Sequence, residues 1–175
     1  MISFSIGGIT IPVEAGNGTI EQTYEDVSRS TTHEMGDGSL IKQTYVGAGK
    51  KLRTTISGSE AWVPPCFGGL DFDAPQLLKC STPRAIHGAG RIITVPAARR
   101  SDAGYTPKGY AIKNDVVIET GVESIVGDTV TLDTVTGAEG YVVHYWPEIT
   151  VYATFTETGD QASAHYGWQL VCREK

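Results

Sequence analysis

Near its end the chain carries two stretches that alternate with a period of two. Ile149, Val151, Ala153 and Phe155 are interleaved with Thr150, Tyr152, Thr154 and Thr156. Tyr166, Trp168, Leu170 and Cys172 are interleaved with Gly167, Gln169, Val171 and Arg173. That period places each set on its own face of a pleated strand, whereas a helix would scatter both sets around its axis. Two such strands in succession call for a sheet with one buried and one wetter face. The polar stretch 158–164 between them reads as their connecting loop.

Composition points the same way. The 175 residues include 20 Thr, 15 Val and 14 Ile, against 7 Leu and 2 Met. Side chains branched at Cβ fit a pleated surface better than a helix. The 21 Gly and 8 Pro supply turns. An all-β fold is expected, a β-sandwich or barrel carrying a small inserted β module. Ile2–Ile6 and Ile9–Val13 alternate around Gly7-Gly8 and read as a hairpin. Thr19–Met35 has some helical spacing at Ile20, Tyr24 and Val27, but its Thr and Ser content favours a long, partly exposed strand closed by Gly36-Asp37-Gly38. Leu40–Val46 and Leu52–Ile56 read as two strands across Gly47-Ala48-Gly49, and Gln76–Ser81 as another. Residues 88–109 are loop-rich, with one strand at Ile92–Val95. Short β runs follow at Val116–Ile118, Val122–Val126, Val130–Leu132 and Tyr141–Trp146. The expected division is 1–87 with 148–175 as one β domain and 88–147 as the insert.

The composition bounds function more than it assigns it. A net charge of −6 argues against a protein that grips nucleic acid by its phosphates. No apolar run reaches the roughly 18 residues of a membrane helix, and Met1–Val13 lacks a cationic start, so neither membrane insertion nor a signal peptide is expected. Cys66, Cys80 and Cys172 form no C-x-x-C pair and are expected as reduced thiols in a protein made in the cytoplasm. Gly47–Lys51 lacks phosphate-loop spacing, and Gly88-Ala89-Gly90 lacks the third glycine of a dinucleotide fingerprint. His33, His87, His144 and His165 have no ligand spacing. Asp71 with Asp73, and Asp128 with Asp133, fall at turns, where Asp is favoured anyway. The aromatic residues Tyr141, Tyr145, Trp146, Tyr152, Phe155, Tyr166 and Trp168 suit core packing first and a sugar platform second. No catalytic residue, metal or cofactor is expected.

One set of short motifs suggests a family. Ile41-Lys42-Gln43-Thr44-Tyr45 is followed by Lys51-Leu52-Arg53-Thr54-Thr55-Ile56-Ser57-Gly58, then Trp62-Val63-Pro64-Pro65 and Gly69-Leu70-Asp71. Tyr145–Tyr152 and Tyr166–Leu170 end the pattern. Over 1–85 and 140–175 this resembles the small tail-tip (distal tail or baseplate) proteins of long-tailed, non-contractile bacteriophages. The resemblance implies a structural virion protein, assembled in the host cytoplasm into a hexameric ring at the tail tip. Such a ring joins the tail tube protein to the baseplate hub and other tail-tip proteins, and lets DNA pass through its lumen without specific binding. A tail tube protein, and a receptor- or carbohydrate-binding module, are the alternatives. Lys42, Tyr45, Lys50 and Lys51 in a Gly36–Lys51 hairpin are candidate contacts between copies. So are Arg99, Arg100 and Asp102, as intersubunit ion pairs in an Ala97–Lys108 loop expected to order on assembly.

Overall fold

Paired left-handed residues decide where several strands reverse. Gly7 and Gly8 have φ of 55° and 81°, and Asn114 and Asp115 have 50° and 60°. Two central residues of positive φ make the tight turn whose twist matches that of the flanking strands. In the computed structural model, which describes residues 4–16, 20–28, 30–44, 50–160 and 165–175, these turns join β1 (Ser5–Ile6) to β2 (Ile9–Thr10) and β10 (Lys108–Lys113) to β11 (Val116–Thr120). A 3-10 turn, Val13–Gly16, precedes β3 (Ile20–Val27), β4 (Ser30–Glu34), β5 (Leu40–Thr44) and β6 (Lys51–Ala61). Then come β7 (Gln76–Lys79), β8 (Arg84–Gly88) and β9 (Ile92–Thr94), and beyond the β10–β11 hairpin β12 (Val122–Val126), β13 (Thr129–Leu132), β14 (Gly140–Tyr145), β15 (Glu148–Asp160) and β16 (His165–Glu174). The described residues hold no α-helix, and the hairpins and the β10–β14, β8–β14, β6–β16 and β3–β6 pairs are antiparallel.

The chain forms two units. The first holds Met1–Thr10 and Leu77–Ile149, the second Ile11–Gln76 and Thr150–Lys175. The stretch 88–147 therefore lies inside the first unit, which also takes strands from 1–10 and 77–87. In that unit β1 lies between β2 and β7, a second sheet runs β11-β10-β14-β8, and a third runs β12-β13-β9. Ala111, Tyr141, Val143 and Tyr145 of the second sheet form one core with Ile93, Val130 and Leu132 of the third, joined by Val95. Two sheets burying their facing sides make a small sandwich.

In the second unit the order is β15-β16-β6-β3, with β4 and β5 forming a separate two-stranded ribbon. Leu52, Thr54, Ile56 and Gly58 of β6 alternate as buried positions, as do Trp168, Leu170 and Cys172 of β16. Phe67 packs edge-on against Phe155 at 5.0 Å and Trp168 at 5.9 Å. The Trp168 indole N–H donates to the Ala15 carbonyl. Thr54 is buried, yet its hydroxyl donates to the Thr23 carbonyl at 2.7 Å, so that hydroxyl is not stranded.

The single long strand expected over Thr19–Met35 is two strands in different sheets, β3 and β4, and one pairing also departs from the sequence reading. The sequence reading pairs Leu40–Val46 with the Leu52–Ile56 strand, across Gly47-Ala48-Gly49. Instead β5 pairs with β4, and β6 lies between β3 and β16. The Met35–Ser39 turn holds this pairing: Met35 N–H donates to the Ser39 carbonyl at 2.8 Å, Gly38 takes φ 81°, and the Asp37 carboxylate accepts from the Ser39 amide and hydroxyl. Gly47–Gly49 lies outside the described residues.

Gly58 sets the spacing beneath Trp168. A Cβ there would stand 2.4 Å from the indole nitrogen and 2.7 Å from the Ala15 carbonyl. Gly58→Ala is therefore expected to destabilise by about 3 kcal/mol, measured as a drop in the urea midpoint. Gly69→Ala, where nothing lies within 4 Å, should leave that midpoint nearly unchanged.

Candidate functional site

Residues 30–44 form an arm. Ser30↔Thr44, Thr32↔Lys42, His33↔Ile41 and Glu34↔Leu40 are paired, and no third strand joins this ribbon among the described residues. Nearly every position is exposed, including Leu40 at 71% and Ile41 at 49%. A two-stranded ribbon alone in water is marginal at best, because it orders its backbone without burying a face. The Met35–Ser39 turn holds its tip, and hydrogen bonds from Ser39 keep Asp37 ionised below the usual carboxylate range. Between the arm and the β3–β6 ladder lie two residues on one side and six on the other. The arm thus has its own register.

The lysines expected to make contacts are divided. Lys42 lies on the arm, opposite Thr32. Lys50 is exposed. Lys51 opens β6, and its ammonium donates to the Lys175 carbonyl at 2.7 Å. Tyr45 falls outside the described residues. The expected hairpin Gly36–Lys51 is replaced by the arm Ser30–Thr44, displaced toward the N-terminus by the Met35–Ser39 turn.

The arginines expected as intersubunit contacts have partners inside their own unit. Arg99 donates to Asp128 at 2.8 Å and to the Pro96 and Gly127 carbonyls at 2.7 and 2.6 Å. Arg100 is 3% exposed. Its guanidinium grips Asp102 through Nε at 3.2 Å and Nη2 at 2.5 Å, and donates from Nη1 to the Cys80 carbonyl at 2.9 Å. It also lies 3.1 Å from the centre of the Tyr105 ring, which meets Trp146 edge-on. Trp146 in turn donates to the Ser81 carbonyl. The Arg100 and Glu148 amides tie the segment down at Trp146 and Ala98. These bonds need no second copy. A buried arginine holding a carboxylate, a carbonyl and an aromatic face is a clasp closing the loop 97–105.

Several of the other residues singled out from sequence serve local structure. Asp71 accepts from the Asp73 amide, and Asp128 holds Arg99. No group of three or more His, Cys, Asp or Glu is placed to hold a metal among the described residues. His144 is pushed below its ordinary pKa by burial and by Lys108, and its ring leans on Tyr110. Tyr141, Tyr145, Trp146 and Trp168 are buried, whereas Tyr152 stays 46% exposed. No helix of the described residues is long and apolar enough to cross a membrane.

The clasp should be visible in acid. The hydrogen bond from Arg100 pulls Asp102 down to about 2 from 3.8, against the opposing effect of burial. The charged carboxylate is the form the fold prefers, so its contribution is complete above the unfolded value and lost as pH falls toward about 2. Asp102 is partly exposed, so solvent screening leaves about 1–2 kcal/mol. Asp102→Asn should lower stability by that amount at pH 7 in urea unfolding, and the gap from the native protein should close between pH 4 and pH 2.

No protein-family model matches the chain, and neither a curated protein nor a solved structure matches it.

Proposed function

We propose that this chain is a structural protein that assembles with copies of itself through the arm 30–44, without catalysing a reaction. The observation that carries the reading is the arm: an ordered ribbon presenting Leu40, Ile41 and Met35 to water. Such a ribbon gains its missing buried face when a second molecule packs on it. Exposed Val116, Val117 and Ile118 on β11, an edge strand of its sheet, offer a second surface of the same kind.

The motif resemblance supplies the setting. The proposed assembly is a tail-tip ring of a long-tailed bacteriophage, six copies around a channel, joining the tail tube to the baseplate hub. A net charge of −6 suits a wall past which DNA slides without counterion-release binding. A tail tube protein would use the same contacts but stack many rings, so copy number per particle separates the two.

Native mass spectrometry of the purified protein is expected to show a closed oligomer. The exposed double substitution Leu40→Asp with Ile41→Asp should reduce it to monomer while the far-ultraviolet circular dichroism stays unchanged. A native protein that is monomeric at every concentration, or an oligomer untouched by the double substitution, overturns the reading.

A further inference from the structure

The outer face of the second unit's sheet carries a pairing that strands normally avoid. Arg173 of β16 sits directly opposite Arg53 of β6. Like charges facing each other across a ladder are destabilising. The same row continues to Tyr152 on β15 and to Glu25 on β3. Glu25 relieves only one member, through Arg53 Nη1 at 3.3 Å. Arg53 Nε is buried with no hydrogen-bond partner, and Arg173 forms no ion pair among the described residues. A charge conflict, an orphaned donor and an exposed aromatic ring thus meet at one place. A local rule broken with only partial internal compensation is the mark expected of a functional site.

The place is also concave. Arg53, Tyr152, Thr154, Val171 and Arg173 line a groove of about 490 Å³. That is within the size range of small-ligand sites, which combine apolar walls with a few polar groups. Two guanidiniums on adjacent strands present planar forks that match the oxygens of a carboxylate or phosphate. Val171 and the Tyr152 ring form the apolar wall, and Thr154 adds a hydroxyl. We propose that this groove binds a sugar carrying an oxyanion, with the anionic group between Arg53 and Arg173 and the sugar ring against Tyr152. Its residues lie outside the arm, so the site stands or falls independently of the assembly reading.

The anion would restore the balance that the ladder lacks. It would separate two like charges and give Arg53 Nε an acceptor. Glu25 competes for Arg53, so removing its charge frees a donor for the ligand.

The test is an amide-resolved NMR titration of the full chain with glucuronate, glucose 6-phosphate, inorganic phosphate and neutral glucose. At least one of the two anionic sugars should shift the amides of Tyr152, Thr154, Val171 and Arg173 saturably, and whichever binds more tightly identifies the preferred anion. Inorganic phosphate should bind several-fold more weakly, and glucose should leave these amides unmoved. Arg173→Ala should weaken binding by about tenfold or more, and Tyr152→Ala should reduce the anionic sugar to the level of phosphate. Glu25→Gln should tighten binding, a gain that misfolding cannot imitate. The proposal is overturned if neither anionic sugar shifts these amides, or if Arg173→Ala binds as well as the native chain. Inorganic phosphate binding as tightly as both sugars, or glucose as well as either, overturns the sugar assignment too.

Discussion

The register of β6, β15 and β16 governs both faces of the second unit. Because side chains alternate along a strand, one set of pairings decides two things at once. Leu170 opposite Ile56, and Cys172 opposite Thr54, put the buried positions of neighbouring strands in one layer. The same ladder necessarily sets Arg173 against Arg53 on the other side. A slip of one residue would expose Ile56 and Leu170 and bury two arginines, and the desolvation of both charges forbids it. The like-charged pair is therefore held in place by the core behind it. Trp168, seated over Gly58 and bonded to Ala15, marks where the ladder bulges between Gly58 and Ala61.

The chain treats its two exposed-looking segments in opposite ways. The loop 97–105 is rich in charge and has little apolar content, yet it spends its arginines internally. Arg100 meets a carboxylate, a carbonyl and an aromatic face, so its buried charge is compensated where it lies. The arm does the reverse. Its backbone is paired, but Leu40 and Ile41 stay largely exposed. Association relieves an uncovered apolar face and does little for a satisfied ion pair. In the proposed assembly this shifts the contact surface away from Arg99, Arg100 and Asp102 and toward the arm.

What the sequence disclosed follows from how local each signal is. Alternation at 149–156 and 166–173 marked β15 and β16, because period two needs no knowledge of the partner. Gly7-Gly8 disclosed the first hairpin for the same reason. The partner of β5 was not legible. Leu40–Thr44 is flanked by two glycine-rich stretches of sequence, and the hydrogen bonds of Met35–Ser39 hold β5 on β4. Asn114-Asp115 carries the β10–β11 turn without glycine, and β10 begins at Lys108, in a stretch whose glycines and charges read as loop. Nor could sequence separate the arginines. Arg100 is buried under Tyr105 while Arg173 lies open beside Arg53, and arginine is ordinarily an exposed residue in either setting. Burial of a guanidinium depends on residues far along the chain, Cys80 and Trp146 among them. The Arg53–Arg173 row needs the register of three strands before it exists at all.

Edge protection explains why the arm rather than the main ladder would carry assembly. β3 is the outermost strand of its order, with Glu25 and Asp26 near its end. Charged side chains on an edge discourage another strand from adding to it. β11 carries three exposed β-branched residues in a row before its first charge, Glu119. The chain thus presents two unlike apolar surfaces, one in each unit, and one edge defended by carboxylates. A closed ring requires two different patches, each meeting the other on the next copy, whereas a two-fold dimer requires one patch meeting itself. Two unlike surfaces and a guarded edge suit the proposed ring.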